Sequence, residues 1–470
     1  MSIKVFNTLG RRVEDFEPQE SGKVGMYICG PTVQSEPHLG HGRFAVVFDM
    51  IRRYLEWRGF EVTYVRNITD VEDKIIAAAI ESGESMAERA ERMAGIFHGV
   101  FDALGVRPPD VEPKATEHIP EMLSMIAELI DRGLAYPAEN GDVYFSVRTL
   151  ESYGRLSGRK VDELRSGARV EVSDIKHDPL DFAVWKAAKP GEPAWDAPWA
   201  PGRPGWHIEC SAMAKRHLGV TFDIHGGGAD LIFPHHENEI AQSEGANGAL
   251  FARYWLHNGM VNLGGEKMSK STGHLIDLQE AIELFGGRAV RLFYLRAHYR
   301  SPLEFSEELL RDAQTALTRV DRLLERIGPD PGEPDAEVLD RFREAMDEDF
   351  ATPEALGVLF DAVREANREL DEGIPTGAIA EAVRVMVDVL GLAAVEGKLD
   401  DLAAPVSDLA AELGVDAQGS IEEILDRLVA HRSEARASKD FALSDTIRDR
   451  LAQIGITVED GADGSRWIRR

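Results

Sequence analysis

Short apolar runs alternate with longer amphipathic stretches along the first hundred residues, and the alternation returns after residue 205. Strand-like runs, in which apolar residues are nearly continuous, occupy 26–29, 62–65 and 221–224. Between and after the first two runs, apolar residues recur three or four positions apart at 44–57, 71–80 and 86–104. This alternation of strand and helix periods predicts βαβ units and a parallel sheet with a ligand crevice at the carboxyl ends of its strands. Cys29, His38 and Thr69 would lie at that edge.

The pattern breaks between the second and third strand-like runs. A helix at 119–133, a hairpin near 139–142 and a loop rich in Pro and Trp at 189–204 read as an insertion. Alternation returns with the segment 206–210 and a helix to 217, and the chain then becomes helical at 307–327 and 335–373. Acidic linkers at 329–334 and 398–405 suggest boundaries, and a last unit ends in a hairpin at 456–467.

We therefore predict an α/β protein. Its Rossmann-like, parallel-sheet catalytic domain is split by an insertion and followed by an α-helical bundle and a small C-terminal α+β domain. The predicted boundaries are 1–110 with 205–262 for the sheet domain, 111–204 for the insertion, 263–315 for a loop and contact region, 316–400 for the bundle and 401–470 for the last domain.

The amino-acid composition excludes some of the classes to which the protein could belong. Among 470 residues, 53 are basic and 82 acidic, giving a formal net charge of −29. That balance disfavours non-specific adhesion to nucleic acid but leaves room for an RNA partner with a local basic surface. No run approaches the roughly 20 apolar residues of a membrane span, and no signal peptide is visible, so we expect a cytoplasmic protein without a membrane partner. With two cysteines in a reducing compartment, no disulfide is expected.

Two short motifs indicate a site for the triphosphate of ATP. His38-Leu39-Gly40-His41 follows a strand-like run, where a helix N-terminus offers free N–H groups. Far downstream, Lys267-Met268-Ser269-Lys270-Ser271 places two lysines on a short polar loop. Alone, the first would be an ordinary helix start and the second a solvated turn. Their joint occurrence, with no P-loop pattern, favours phosphate binding.

A second constellation suits a metal ion. His235 and Glu239 are four residues apart and share one face if helical. Together with Cys29 and Cys210 they make a set of two thiolates, one imidazole and one carboxylate, which suits zinc. The alternatives are two buried thiols and a polar helix start after Pro234. The order is not His-Glu-x-x-His, which argues against a metalloprotease.

The two phosphate motifs resemble the signatures of class I aminoacyl-tRNA synthetases. Over essentially the whole chain, further blocks are similar to those of the cysteinyl-tRNA synthetase family: 29–33 (CGPTV), 205–213 (GWHIECSAM), 225–231 (HGGGADL) and 233–239 (FPHHENE). The resemblance implies that L-cysteine, ATP and tRNA(Cys) are the substrates. It also implies that Cys29, Cys210, His235 and Glu239 hold one zinc ion, whose coordination the substrate thiolate completes.

Further roles are implied by the same resemblance. Thr69 would lie near the amino group of cysteine, and Trp206 would close over the bound amino acid. ATP, accompanied by Mg²⁺, would contact the motif residues and the glycine block: Gly40, Gly226, Gly227, Gly228, Asp230 and Lys270. Charge at the α-phosphate and the departing pyrophosphate would be stabilised by His38, His41, Lys267 and Lys270.

Two rival functions remain at this stage. A related ligase joins cysteine to an amino sugar in mycothiol biosynthesis and would share the same motifs. The long helical region after Ser271, and an end at Arg466-Trp467-Ile468-Arg469-Arg470 that offers an aromatic ring and cations, favour an RNA acceptor. A non-catalytic tRNA- or nucleotide-binding paralogue would lack a motif residue, and all are present. We expect a monomer in which 263–315 contacts the tRNA stem, and 316–400 and 401–470 bind the anticodon stem and the anticodon.

Overall fold

The computed structural model describes residues 2–163, 175–263, 266–267, 277–327, 332–394, 402–454, 456–461 and 464–469. The chain divides into two compact units, Met1–Ala393 and Ala394–Arg470. The described strands are β1 (Lys4–Asn7), β2 (Arg12–Asp15), β3 (Lys23–Ile28), β4 (Glu61–Arg66), β5 (Ala135–Pro137), β6 (Val143–Phe145), β7 (Phe182–Ala187), β8 (Gly202–Pro204), β9 (Phe222–Gly228), β10 (Ala252–Asn258), β11 (Val261–Leu263), β12 (Glu266–Lys267), β13 (Leu303–Phe305), β14 (Ile456–Gly461) and β15 (Gly464–Arg469).

The described α-helices are α1 (Leu39–Trp57), α2 (Asp73–Ser82), α3 (Met86–Ala103), α4 (Ile119–Asp131), α5 (Trp206–Leu218), α6 (Glu237–Asn247), α7 (Leu278–Phe285), α8 (Gly287–Leu295), α9 (Glu307–Ile327), α10 (Ala336–Asp347), α11 (Thr352–Glu372), α12 (Gly377–Val389), α13 (Ala403–Glu412), α14 (Ile421–Ala437) and α15 (Phe441–Gln453). Short 3-10 turns lie at Ala115–Glu117, Val147–Thr149, Val161–Glu163 and Ala229–Leu231, and a π-helical turn, Ile232–His236, leads into α6.

A four-stranded parallel sheet in the order β10-β9-β3-β4 forms the centre of the first unit. α1 is the crossover between β3 and β4, as the alternation of periods predicts. The sequence between β4 and β9 contains the insertion, whose own antiparallel sheet has the order β5-β6-β7-β8. The α/β, Rossmann-like fold predicted from the pattern is therefore confirmed.

The parallel sheet is covered on both faces. One hydrophobic cluster joins residues of α1, α3, α8 and the helices α9 to α12. A second cluster joins the opposite face to α4, α5, α6 and the insertion. Because both faces are buried, β3 and β4 read as nearly continuous apolar runs rather than as alternating ones. No helix in the described part of the chain is long and apolar enough to cross a membrane.

The structure corrects two of the predicted secondary-structure elements. The segment 206–210 is not separate from the following helix, because α5 runs unbroken over Trp206–Leu218. The stretch 335–373 is two helices, α10 and α11, and Asp349 and Phe350 between them have φ of 57° and 54°. Two left-handed residues cannot continue a right-handed helix, although the apolar spacing is uninterrupted. Of the predicted linkers at 329–334 and 398–405, residues 329–331 and 398–401 lie outside the described residues.

The second unit has a hydrophobic core of its own. α13, α14 and α15 pack through residues that include Leu425, Leu428 and Ile447, and the β14–β15 hairpin adds Ile456. Trp467 packs beside this core and its indole N–H donates to Asp426 Oδ1 at 2.7 Å. The predicted small α+β unit with a terminal hairpin matches what the structure shows for these residues.

Candidate functional site

The site lies where the parallel strands end. Cys29 directly follows β3, and its N–H donates to the Gly226 carbonyl of β9 at 3.0 Å. Thr69 comes three residues after β4 and pairs with Thr32 in an isolated parallel bridge. A Cβ on Gly30 would stand 1.6 Å from the Asn67 carbonyl oxygen, so only glycine permits this approach of the two chains.

The four residues predicted to bind a metal meet at this edge. The Cys29 and Cys210 sulfurs are 3.5 Å apart and both thiols are free. Cys29 Sγ lies 3.2 Å from Glu239 Oε1, and His235 Nε2 lies 3.0 Å from the same oxygen. All four side chains are buried, and their ligand atoms lie within 4.8 Å of one another.

Burial and the charges of neighbouring groups shift the pKa values of all four side chains. A hydrogen bond from Cys29 lowers the pKa of Cys210 to about 7, whereas burial raises the pKa of Cys29 well above its usual value. Burial alone would lower the pKa of His235, but Glu239 and Cys210 outweigh it and raise that pKa to about 10. Burial likewise opposes ionisation of Glu239, yet His225 and His235 hold its pKa well below the usual range. The ionised Glu239 carboxylate and the easily ionised Cys210 thus lie beside a protonated His235 imidazole, while Cys29 keeps its proton.

Histidines that the sequence analysis did not assign to the cluster surround it. His225 Nε2 lies 2.8 Å from Glu239 Oε2 and so holds the carboxylate oxygen that faces away from His235. His236 Nδ1 contacts His257 Nε2 at 2.8 Å, and His257 Nδ1 contacts Thr8 Oγ1 at the same distance. Burial lowers the pKa of both His236 and His257, so these two rings stay neutral. Three elements within residues 222–258 supply these rings, and only the pairing of β9 with β10 and the turn before α6 brings them together, which local spacing does not reveal.

The donor set fits zinc. Zinc binds Cys sulfur at roughly 2.3 Å and His nitrogen or carboxylate oxygen at roughly 2.0–2.2 Å in a tetrahedral arrangement, which separates neighbouring ligand atoms by about 3–4 Å. The three distances given above, 3.5, 3.2 and 3.0 Å, fall in this range. Cys29, His225, His236 and Glu239 form a second possible set. We favour the first because it brings both soft thiol ligands to one point.

Thr69 and Trp206 lie beside this cluster. Thr69 Oγ1 donates to Glu209 Oε2 at 3.1 Å and accepts from Asn67 Nδ2 at 3.3 Å. Glu209 is buried, and its Oε1 has no hydrogen-bond partner among the described residues. Burial, followed by the charge of Cys210, raises its pKa well above the usual value. Neither Glu209 nor Asn67 was predicted, because each is a polar residue inside a motif dominated by stronger signals.

Trp206 is the first residue of α5 and is 37% exposed. Its ring centroid lies 4.2 Å from that of His235, at a tilt of 32°. The indole therefore lies over one residue of the cluster, where it could cover a small ligand.

The two motif histidines cap α1. His38 is the N-cap residue, and its Nδ1 accepts from the Gly40 N–H at 3.1 Å. His41 Nδ1 accepts from the His38 N–H at 3.1 Å, which completes a reciprocal capping box. The rings stack with centroids 3.8 Å apart. Burial keeps the His41 ring neutral, and because its Nδ1 accepts a hydrogen bond, its proton lies on Nε2, where it can be donated to an anion.

The glycine block has a packing role as well as the ligand role expected for it. Gly226 and Gly227 belong to the buried part of β9. A Cβ on Gly226 would come within 2.4 Å of the Phe48 ring, and one on Gly227 within 2.9 Å of His236. At Gly228 the nearest atom would be Asp230 Oδ1, at 2.4 Å. Asp230 itself is exposed, beyond the end of the strand.

Of the two motif lysines, the structure describes only the backbone of one. Lys267 lies in β12, which pairs antiparallel with β11 so that Lys267 is opposite Asn262. β11 pairs in turn with β13 in a small three-stranded sheet. Lys270 lies outside the described residues, and its predicted role stays a prediction.

Comparisons with known families cover the chain in three parts. A model described as the class I (C) tRNA synthetase catalytic domain matches residues 15–315. A DALR domain matches residues 341–394, and a cysteinyl-tRNA ligase anticodon binding domain matches residues 419–467. The three matches follow the order of the sheet domain, the helical bundle and the terminal unit.

Curated relatives align over nearly the full length. A cysteine–tRNA ligase from Thioalkalivibrio sulfidiphilus is 50% identical over 99% of this chain and 100% of its own. One from Halorhodospira halophila is 50% identical over 99% of both chains. Among solved structures, a Mycobacterium tuberculosis methionyl-tRNA synthetase superposes with a TM-score of 0.60 at 16% identity, covering 82% of this chain and 94% of that one. That last likeness concerns the fold alone.

Proposed function

The chain belongs to the cysteine–tRNA ligases, which are class I aminoacyl-tRNA synthetases, and from that premise we propose how its residues carry out the reaction. A ligase of this family activates cysteine with ATP and transfers it to tRNA. The proposal is that a zinc ion held by Cys29, Cys210, His235 and Glu239 selects the substrate through its thiolate. The convergence of those four buried ligand atoms is the observation that carries it.

Zinc would supply a soft binding position that favours a thiolate over a hydroxyl. The chain's own contribution is to hold the donors in place. Glu239 is fixed on one oxygen by His225 at 2.8 Å. Such outer contacts orient ligands and typically change metal affinity by about 10–100-fold when removed. A pocket shaped only for size would discriminate by about 10–200-fold, less than a site that reads the thiol chemically.

The amino and carboxyl groups of cysteine would be placed by residues next to the metal. Thr69 and the unpaired oxygen of Glu209 offer acceptors for the ammonium group. Trp206 would cover the bound amino acid and exclude water. The carboxylate would then face the N-terminus of α1, where ATP is expected.

Phosphate binding would use the cap of α1. His38 and His41 stack at this cap, and the Nε2 atoms of their rings would face the α-phosphate. Lys267 and Lys270 would stabilise the pyrophosphate, accompanied by Mg²⁺. Preorganised donors of this kind are commonly worth ~10²–10³-fold each in rate. Gly40, the 226–228 backbone and Asp230 would approach the rest of ATP.

The attack itself requires little acid–base chemistry. The cysteine carboxylate displaces pyrophosphate from the α-phosphorus of ATP and forms cysteinyl adenylate. A terminal ribose hydroxyl of tRNA(Cys) then takes the acyl group and releases AMP. The bundle at 316–400 and the unit at 401–470 would bind the anticodon stem and anticodon. We expect the enzyme to act as a cytoplasmic monomer.

The test is cysteine-dependent exchange of pyrophosphate into ATP, followed by transfer of the activated cysteine to tRNA. We expect exchange with cysteine and only background exchange with serine, and charging of tRNA but not of an amino sugar. Transfer to an amino sugar alone would contradict the choice of acceptor. Exchange supported equally by serine would contradict selection by a zinc-bound thiolate.

A further inference from the structure

Arg43 lies on α1 two residues after His41 and is fully buried. None of its side-chain hydrogen bonds in the described structure goes to a carboxylate. Its guanidinium donates to five backbone carbonyls instead: Nη1 to Gly259 at 3.1 Å and Met260 at 2.9 Å, and Nη2 to His298 at 3.3 Å, Tyr299 at 3.4 Å and Ser301 at 2.5 Å.

These carbonyls belong to two segments that meet beneath a small sheet. Met260 directly precedes β11, and a single residue separates Ser301 from the start of β13. The segments also bind each other, since the Gly259 N–H donates to the Tyr299 carbonyl at 2.7 Å. A Cβ on Gly259 would come within 2.2 Å of the Ser301 carbonyl oxygen, which shows how closely the two segments approach.

The sheet above this junction has the order β12-β11-β13 and includes the backbone of Lys267. Arg43 therefore joins the helix that begins with His38 and His41 to the base of the sheet that carries Lys267. The two phosphate motifs are far apart in sequence, and this guanidinium is a direct polar link between their supports.

A buried guanidinium without an acidic partner is costly to desolvate, and burial lowers the pKa of Arg43 to about 10. It still carries its charge at neutral pH. A planar guanidinium with five donors can bind carbonyls of both segments in a fixed geometry, whereas a lysine ammonium offers only three donors at a single point. An apolar side chain would fill the same space at a smaller desolvation cost. It would not hold the two segments and α1 in a fixed relative position.

We propose that Arg43 is a positioning residue for adenylate formation, which sets the sheet carrying Lys267 at the correct place relative to His38 and His41. The inference rests on the phosphate roles proposed above for those residues. Arg43 touches no reacting atom. Its effect is exerted through the placement of Lys267.

The first experiment compares Arg43→Gln and Arg43→Lys with a matched control, Arg291→Gln. Arg291 is also fully buried and donates to the Leu390 and Gly105 carbonyls and to Asp49, away from β11. For Arg43→Gln we expect kcat of cysteine-dependent pyrophosphate exchange to fall ~10²-fold, as for a misplacement of about 1 Å, with KM for cysteine and zinc content unchanged. Arg43→Lys should recover part of that loss.

The control separates positioning from stability. Arg291→Gln should lower the unfolding temperature while kcat per folded enzyme stays near that of the wild type. A fall in unfolding temperature for Arg43→Gln without a fall in kcat would overturn the proposal. So would failure of both Arg43 variants to fold, because Arg43 would then be required for folding itself.

A double-mutant cycle with Lys267→Ala tests the route of the effect. If Arg43 acts through Lys267, adding Arg43→Gln to Lys267→Ala should change kcat by less than about 3-fold, and fully additive losses would overturn the proposal. An unchanged kcat in Lys267→Ala alone would instead contradict the proposed phosphate role of that lysine. A normal Arg43→Gln beside a slow Lys267→Ala would reject only the positioning inference.

Discussion

At the scale of single residues, the proposed chemistry depends on two cysteines that are distant in sequence and 3.5 Å apart in space. Spacing, residue type and the resemblance to the family pointed to Cys29, Cys210, His235 and Glu239; the structure brings these four together, and their role as metal ligands stays a proposal. His225, Glu209, Asn67 and Arg43 were not assigned. Their roles depend on which strands and loops become neighbours, and a local pattern does not contain that information.

Replacing Cys210 with Ser should weaken zinc binding by at least about 10-fold, because a protonated, harder hydroxyl replaces a thiolate whose pKa is already lowered to about 7. Competition with a chromophoric chelator measures the affinity. Ser211→Ala is the control, since Ser211 donates to Gln242 Oε1 at 2.8 Å and is not one of the four ligands. Equal zinc affinity in the Cys210→Ser protein and the wild type would remove Cys210 from the site.

At the scale of elements, the N-terminus of α1 combines folding and function. The helical period and the motif predicted a helix here. The periodic pattern placed its start at 44, whereas the structure starts it at Leu39, because polar histidines supply the cap rather than the apolar face. The split between α10 and α11 was missed for a related reason, since two left-handed residues interrupt an unbroken apolar pattern.

The cap of α1 leads to a prediction of how the free energy of unfolding depends on pH. Burial, with His38 adding to it, lowers the pKa of His41 from 6.5 to about 3. Between those values the unfolded chain binds a proton that the folded chain does not, so stability must fall as the pH falls from about 6.5 toward 3. From pH 7 to pH 5, the wild type should lose about 1–2 kcal/mol more than His41→Asn, whose amide oxygen can still accept from the His38 N–H.

Urea unfolding of both proteins at the two pH values measures this difference. The buried histidines around the metal cluster are common to both proteins, and their titration cancels in the comparison. If both proteins lose the same stability, the His41 ring does not resist protonation as its burial requires.

At the scale of the whole molecule, each of the two units has its own hydrophobic core. The order of sheet domain, insertion, bundle and terminal unit was predicted from changes of period along the chain. Composition was less informative: a net charge of −29 disfavours non-specific adhesion to nucleic acid without excluding an RNA partner, and the chain belongs to a tRNA ligase family. Binding to RNA depends on where charges lie, not on their sum.

A chain that ends at residue 394 should therefore retain adenylate formation and lose efficient charging. We expect cysteine-dependent exchange at close to the full-length rate, while kcat/KM for tRNA falls by about 10²-fold or more, the loss expected when about 3 kcal/mol of contacts is removed. The unfolding temperature of the first unit serves as the control. Charging at the full rate would exclude the last unit from tRNA recognition, and loss of exchange would show that the active site depends on it.

The central claim, that a metal held by Cys29, Cys210, His235 and Glu239 recognises the substrate thiol, is tested most directly by replacing the native metal with Co²⁺. Thiolate bonds to cobalt absorb strongly in the near ultraviolet, so the spectrum reports each sulfur bound. We predict that cysteine adds to this absorption and that serine at the same concentration leaves it unchanged. An identical response to both amino acids, or none to cysteine, would contradict the account.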